Sequence, residues 1–531
     1  MGSTAPAISA IPSATTRIWV HGTPSLLPGS PDGRSMTWKM ERRDCNWIWC
    51  QAPQAIASSA WKERGEEKNT SRARNPVGEW NPAPHQKVAP TRQIWNCTPC
   101  AVGASSPRMS GNENRETEWD VVIIGGGPAG STAATTLAQA GRRVLVLEKS
   151  KFPRFHIGES LLPYNRRVFN DLGVWDKIEA AGFTTKRGAQ FIMGDDTRGN
   201  RLDFSKGSFT EYPQAVQVER SKFDQILLDH SREAGADVAE ECMVTDYRIE
   251  KDRVVLKYRS LDLADHEISA RYLIDASGLN NFTANKEKLR RYYPTHRKLA
   301  IFGHFSNVDM PKGEQEGDIL IIRRERSWVW MIPLEENKTS VGLVIDAADF
   351  KALNKKPPEV FADAMADTPA VAKRFANAQS LDQFHVINDF SYKNDILASP
   401  RLLRVGDASG FIDPMFSSGV MLAMTSGQQG AQAIDAALKK NDPLSAEMKF
   451  YEKDNRRRIA IYWEFIENFY KLHFAQIFFQ PYNRWRMVCS INAVLAGRTT
   501  LSWAVRWRLR AFFFLAWLNK YVPVAKRIDI R

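Results

Sequence analysis

Residues 119–148 leave the chain few ways to fold. Asp120-Val121-Val122-Ile123-Ile124 is an almost unbroken apolar run, as suits a strand buried on both faces of a parallel sheet. It leads straight into Gly125-Gly126-Gly127-Pro128-Ala129-Gly130, and the helical stretch that follows stops at Gly141. A second strand, Arg143-Val144-Leu145-Val146-Leu147, ends in Glu148. Strand, glycine turn, helix, strand and acid in this register make a β-α-β unit that binds a dinucleotide. Gly125 permits the tight turn, Gly127 lets the backbone approach a pyrophosphate, and Gly130 allows close helix–strand contact. With Ala129 they form the start of a helix whose free amides and dipole hold an anion, while Glu148 is placed to accept hydrogen bonds from a ribose.

The dinucleotide is identified farther along the chain. Residues 401–410, RLLRVGDASG, read as a strand, a turn at Gly406-Asp407 and the start of a helix running through about Ala437. Tyr272-Leu273-Ile274-Asp275 is another strand, ending in the small-residue turn Ala276-Ser277-Gly278. An acidic turn returning to the first unit suits a ribityl hydroxyl, which FAD has and NAD lacks. The fold class expected is α/β, a Rossmann-like FAD-binding domain.

Composition narrows the remaining choices. The chain has 531 residues, 43% hydrophobic and 25% charged, enough for an enclosed cofactor site. Its net charge of +13 is uneven: residues 1–108 carry +6, residues 451–531 carry +10, and the middle carries −3. A slightly acidic body with basic ends argues against nucleic acid as a partner. No apolar run is long enough to span a membrane, and no secretory signal opens the chain, so a cytoplasmic setting is expected.

Residues 1–108 hold seven Trp among many Pro, Ser and Arg and show no sustained period, so they are expected to be a disordered leader. Met109 opens a short polar lead into the first strand and is expected to be the true start, with a transit peptide as the rival reading. Cys45, Cys50, Cys97 and Cys100 lie in the leader without a hydrophobic framework, so no metal site is expected there. Cys242 and Cys489 read as structural.

The three FAD-type elements resemble the FAD domain of flavoprotein monooxygenases similar to p-hydroxybenzoate hydroxylase. Four segments resemble one branch of that superfamily, the flavin-dependent halogenases, over residues 119–531. FPRFHIGESLLP, with Gly158-Glu159-Ser160, is similar to their loop beside the flavin. GFTTKRGAQF, residues 182–191, resembles the segment bearing their catalytic lysine, here Lys186. Trp328-Val-Trp330-Met-Ile332-Pro333 matches their W-x-W-x-I-P signature, and GDASGFIDPMFSSGV, residues 406–420, resembles their flavin and halide segment. The resemblance also places Arg220 near the cofactor. The lysine segment and FIDPMFSSGV look closer to halogenases of phenolic, pyrrolic or carrier-tethered substrates than to those of free tryptophan. Leu279 departs from the pattern, where a polar or basic residue is expected.

What the resemblance implies is specific. FAD arrives reduced from a separate flavin reductase, and with O2 it turns chloride or bromide into hypohalous acid inside the protein. Lys186 presents the electrophilic halogen to an electron-rich aromatic substrate, and backbone amides at Ser418 and Gly419 hold the halide as a small nest. Read without the resemblance, Lys186 is a solvated charge beside Arg187, and Trp328, Trp330 and Ile332 are alternate core residues of one strand. The rival functions are an FAD-dependent aromatic hydroxylase, a reductase of prenyl double bonds, and a non-catalytic membrane-attached flavoprotein.

The expected organisation follows. Residues 109–450 form the FAD-binding domain interleaved with a β-sheet substrate domain, the latter at about 183–212 and 296–390. Short alternating runs such as Ser340–Ile345 suit a strand layer over the flavin. His156, His304 and His385 occur singly and read as ordinary core or surface residues. Residues 451–531 read as a helical extension, aromatic and basic. It is expected to cap the core, with peripheral contact with an anionic membrane or an acidic carrier protein as the rival.

Overall fold

The computed structural model describes residues 119–207, 210–388, 390–480 and 484–527. The expectations for residues 1–108, their four cysteines and the start at Met109 therefore lie outside the described residues. The α/β class expected from the sequence is the one observed.

Five strands run parallel in the order Leu402–Arg404, Asp265–Asp275, Trp119–Ile124, Val144–Leu147 and Asp237–Ala239. On one face Val121, Ile123, Val144 and Val146 pack against the helices Pro128–Gln139 and Gly419–Lys440. On the other, Val122, Ile124, Leu145 and Leu147 meet the antiparallel pair Met243–Ile249 and Val254–Arg259. Both faces are covered, which is why the first strand can be apolar without a break from Val121 to Ile124.

The second sheet is mostly antiparallel. Its main order is Gln379–Ser380, Lys298–Ser306, Lys338–Asp346, Trp328–Glu335, Ile319–Arg323, Gly188–Met193 and Gly199–Asp203. The run at Ser340–Ile345, expected to belong to a strand layer, is a strand buried at every position. One face of this sheet joins a core with Trp328, Trp330, Ile332 and the C-terminal helices. The other is covered by the short helices Pro357–Ala366 and Pro369–Phe375. Helices behind the sheet thus removed the polar face that alternation would have marked.

The C-terminal helices Ala446–Phe469, Leu472–Phe478, Met487–Leu495 and Trp503–Leu518 put Phe465, Phe469, Phe474, Phe478 and Phe512 into the core that backs the tryptophans. Among the described residues, no helix is long and apolar enough to cross a membrane.

Register across two of these strands fixes a tryptophan. Trp330 stands opposite Gly342, and a Cβ on Gly342 would lie 2.1 Å from the ring of Trp330. Gly342→Ala must therefore move the indole, whose Nε1 donates to Ser340 Oγ at 3.1 Å. Overpacking of this kind costs about 1–3 kcal/mol. We expect urea unfolding to show that loss in the Gly342→Ala protein while FAD content is retained. An unchanged unfolding midpoint would mean that the ring has no fixed seat.

Candidate active site

A cavity of about 490 Å³ opens between residues of both sheets. Gly125, Gly127, Ala129 and Glu148 form part of its wall, with Gly158, Glu159, Ser160, Arg220 and Asp407. Phe302, Trp328, Trp330, Ile332, Phe390 and Gly419 supply another part. Residues up to 299 positions apart, Ile124 and Ala423, thus meet at one space.

The turn at the first strand is built from contacts that only glycine allows. Gly125 has φ +99°, and a Cβ there would come within 2.5 Å of Ala276 O. A Cβ on Gly130 would lie 1.9 Å from Gly125 O, so Gly130 serves helix–strand contact and does not line the cavity. Gly406 is similar: it stays off the wall, and a Cβ there would approach that of Ala129 to 2.8 Å. Gly127 differs, because a Cβ there would meet only Arg154 Nη2, at 3.4 Å. Its open side faces the cavity.

Glu148 is buried, and its carboxylate accepts from Gly126 N–H at 2.7 Å and Ser150 N–H at 2.9 Å. Those bonds aim it, and each oxygen keeps a second lone pair for a ribose hydroxyl. Asp407 has its carboxyl pushed up to about 7 by burial, with the Arg220 guanidinium opposing that shift. Arg220 is itself pinned by Asp224, donating from Nε at 2.8 Å and Nη2 at 2.9 Å. An anion-binding helix start, a ribose acceptor and a buried acid beside an arginine fit FAD.

Lys186 does not line the cavity. It is 1% exposed, at the end of the strand Thr184–Lys186, and its Nζ donates to Ser160 Oγ and Leu161 O, each at 2.9 Å. Ser160 is in the cavity wall, so the amine is one hydroxyl away from it. Burial lowers its pKa to about 7, against the weaker pull of Asp318. The solvated-charge reading of Lys186 is therefore corrected: the group is buried and half-neutral near pH 7.

The tryptophan signature divides by strand alternation. Trp328, Trp330 and Ile332 all line the cavity, while Pro333, one position out of phase, points elsewhere and pairs with Thr339. Pro333 is thus no part of the wall. Trp328 Nε1 donates to Tyr470 Oη at 2.9 Å, and Tyr470 donates to Asp413 Oδ2 at 2.7 Å. Asp413 Oδ1 in turn accepts from Met415 N–H, capping the turn Pro414–Phe416. This chain of bonds ties the end of a C-terminal helix to the segment expected to hold halide.

In that segment the serine on the wall is Ser417, which has φ +55°, and not Ser418. Ser418 is buried behind it with no partner for its Oγ. Gly419 lines the cavity and begins a 22-residue helix, so the first turn, whose amides have no partner within the helix, borders the space.

His304 is not the ordinary residue expected. Its Nε2 lies 2.7 Å from Glu159 Oε1 and its Nδ1 2.7 Å from Asp382 Oδ2. Burial alone would lower its pKa, but bonds and charges of Glu159 and Asp382 outweigh that and raise it, so the imidazolium satisfies both carboxylates. His156 lines the cavity and is pushed down to about 4, by burial and then by Arg220, so it is neutral. Spacing carried no sign of either. Alternation did carry one for His304, which shares a strand face with the wall residues Ala300 and Phe302.

The chain matches the FAD binding domain family over residues 118–462. It is 32% identical over 392 residues to 1H-pyrrole-2-carbonyl-(peptidyl-carrier protein) chlorinase of Pseudomonas fluorescens strain Pf-5, covering 70% of this chain and 87% of that protein. To the corresponding brominase of Pseudoalteromonas luteoviolacea strain 2ta16 it is 34% identical over 331 residues, 61% of this chain and 79% of the relative. The structure of the flavin-dependent brominase Bmp2 aligns with TM-score 0.68 and 28% identity, over 76% of this chain and 99% of that one. An FAD-binding fold of the monooxygenase superfamily is thereby defined, and within it the chain belongs to the flavin-dependent halogenases. Its cofactor is FAD, used with O2 and a halide. The hydroxylase, reductase and non-catalytic readings give way to this one.

Gly127 offers a clean test of the FAD assignment, because the protein alone leaves room for a side chain there. Gly127→Val should fold with the wild-type circular dichroism spectrum yet purify without flavin, since the side chain would occupy the pyrophosphate's place. Stoichiometric FAD in that variant would overturn the assignment of the turn.

Proposed function

We propose that the enzyme halogenates an electron-rich aromatic of pyrrole or phenol type, tethered to a carrier protein, and receives reduced FAD from a separate flavin reductase. Support for the substrate class comes from the carrier-linked pyrrole named for the two curated relatives and from the aromatic wall of the cavity. Offset or edge contacts with Trp328, Trp330, Phe302 and Phe390 would orient a flat ring.

In this reading FAD lies along Gly125, Gly127, Ala129, Glu148, Gly158, Arg220 and Asp407, and the parallel sheet serves it while the second sheet serves the substrate. Reduced FAD and O2 supply the oxidising power that converts halide to hypohalous acid. Amides at the start of helix Gly419–Lys440 hold the halide. Lys186 is the group that passes halogen on, and the observation that carries this is its buried amine, bonded to the cavity serine and held near neutrality. A neutral amine has a lone pair for the halogen, and ammonium does not. Ser160 lies between the amine and the cavity, so the transfer needs that hydroxyl to relay or to turn aside.

Lys186→Ala should keep its FAD content and its oxidation of reduced flavin, while halogenated product falls about a hundredfold or more, the usual loss for an essential positioned group. Lys186→Arg should restore little, because guanidinium stays protonated. Mass spectrometry with bromide, a flavin reductase and a pyrrolyl or phenolic carrier substrate reads this from the bromine isotope pattern. Equal product from wild type and Lys186→Ala would sink the lysine route.

The pH profile tests the amine form. With a pKa of about 7, Lys186 gains its neutral form as pH rises. Halogen transfer should climb roughly tenfold from pH 6 to pH 8 and then level off, when flavin reduction is kept in excess. A profile falling over that range would show that the ammonium form does the work.

A further inference from the structure

The helix Trp503–Leu518 is apolar on two sides. Its inner face, Val505, Leu509, Phe512 and Ala516, is buried and belongs to the large core. Residues three or four apart share a helix face. Steps of four, three, four, three and four from Trp503 reach Trp507, Arg510, Phe514, Trp517 and Tyr521, the last just beyond the helix end. That second stripe is turned outward: Trp503, Phe514, Trp517 and Tyr521 are 79%, 56%, 52% and 60% exposed. Its rings touch in pairs, Trp503 with Trp507, Phe514 with Trp517, and Trp517 with Tyr521. A single exposed aromatic needs no explanation, but two groups of them on one face, either side of Arg510 and spanning about 21 Å from Trp503 to Trp517, do.

Charge narrows what can cover it. From Asn468 to Ile528 the sequence has ten Lys and Arg and no Asp or Glu. Arg506, Arg510 and Lys520 are exposed beside the stripe. A second copy of the chain would set this cationic face against its own like, which costs association. An acidic protein would answer the charges, but a run of solvent-facing Trp, Phe and Tyr asks for an apolar medium with a polar skin. The headgroup layer of a bilayer is such a medium, and Trp and Tyr collect there while Arg and Lys pair with lipid phosphate. Spanning is ruled out by the helix's 16 residues and three arginines.

We infer that the outer face of helix Trp503–Leu518 docks on an anionic lipid surface, with its aromatic stripe at headgroup depth. None of these side chains lines the cavity, so the inference stands or falls apart from the halogenase reading.

The test uses the full FAD-loaded chain and vesicles of phosphatidylcholine, alone or mixed with phosphatidylglycerol, in a flotation assay. Wild type should float with the phosphatidylglycerol vesicles at low salt and be released by high salt or by phosphatidylcholine alone. The double variant Trp503→Ser, Trp517→Ser should bind about tenfold or more weakly, since binding scales with the apolar area inserted. Its FAD content and its oxidation of reduced flavin should match wild type, because both positions are exposed. Absence of wild-type flotation, or equal flotation of the variant, overturns the inference. So does a dimer in sedimentation velocity that the variant abolishes while vesicles are ignored, or an acidic carrier protein captured through this face without lipid binding.

Discussion

Everything at the active site depends on how closely two helices approach at Ala129. A Cβ on Gly427 would lie 2.3 Å from Ala129 O, and one on Gly406 2.8 Å from Ala129 Cβ. A bare glycine at 427 lets the helix Gly419–Lys440 lie against Pro128–Gln139, and one at 406 lets the turn Gly406–Ser409 fit beside both. As a result residues at the starts of both, Pro128 and Gly419 among them, line the same cavity. Two positive helix ends, one suited to the pyrophosphate of FAD, thus open on one space through a single packing contact.

Around that contact the polar groups are set by burial. Asp407 and Lys186 are each about half-charged near pH 7 and His156 is neutral, all mainly because they are out of water. His304 is the exception, since two carboxylates compensate its burial. The cavity thus keeps a carboxylate, Glu159, paired to a cation while its lysine is free to lose a proton.

The sequence made plain whatever depends on neighbours along the chain. The β-α-β unit is local, and so the close approaches at Gly125 and Gly130 and the place of Glu148 beside the glycine turn could be read from spacing. Alternation likewise put Trp328, Trp330 and Ile332 on one face and would have removed Pro333 had it been applied one residue further. What stayed hidden is non-local. Lys186 and Ser160 are 26 residues apart, and His304 and Glu159 are 145 apart, with nothing in either segment to announce the other. The even burial of residues 339–345 is non-local in the same way, because the helices that cover the strand's second face come later in the chain.

Gly342 has a meaning beyond stability. It is no part of the cavity wall, yet its missing methyl is what lets the Trp330 indole lie flat against the neighbouring strand, with Ser340 fixing the ring's edge. The width of the cavity at Trp330 is therefore gauged from behind, by a residue that is no part of its wall. Selectivity in such a chamber can drift without any change in the residues that touch the ligand, and a comparison confined to those residues would not see why.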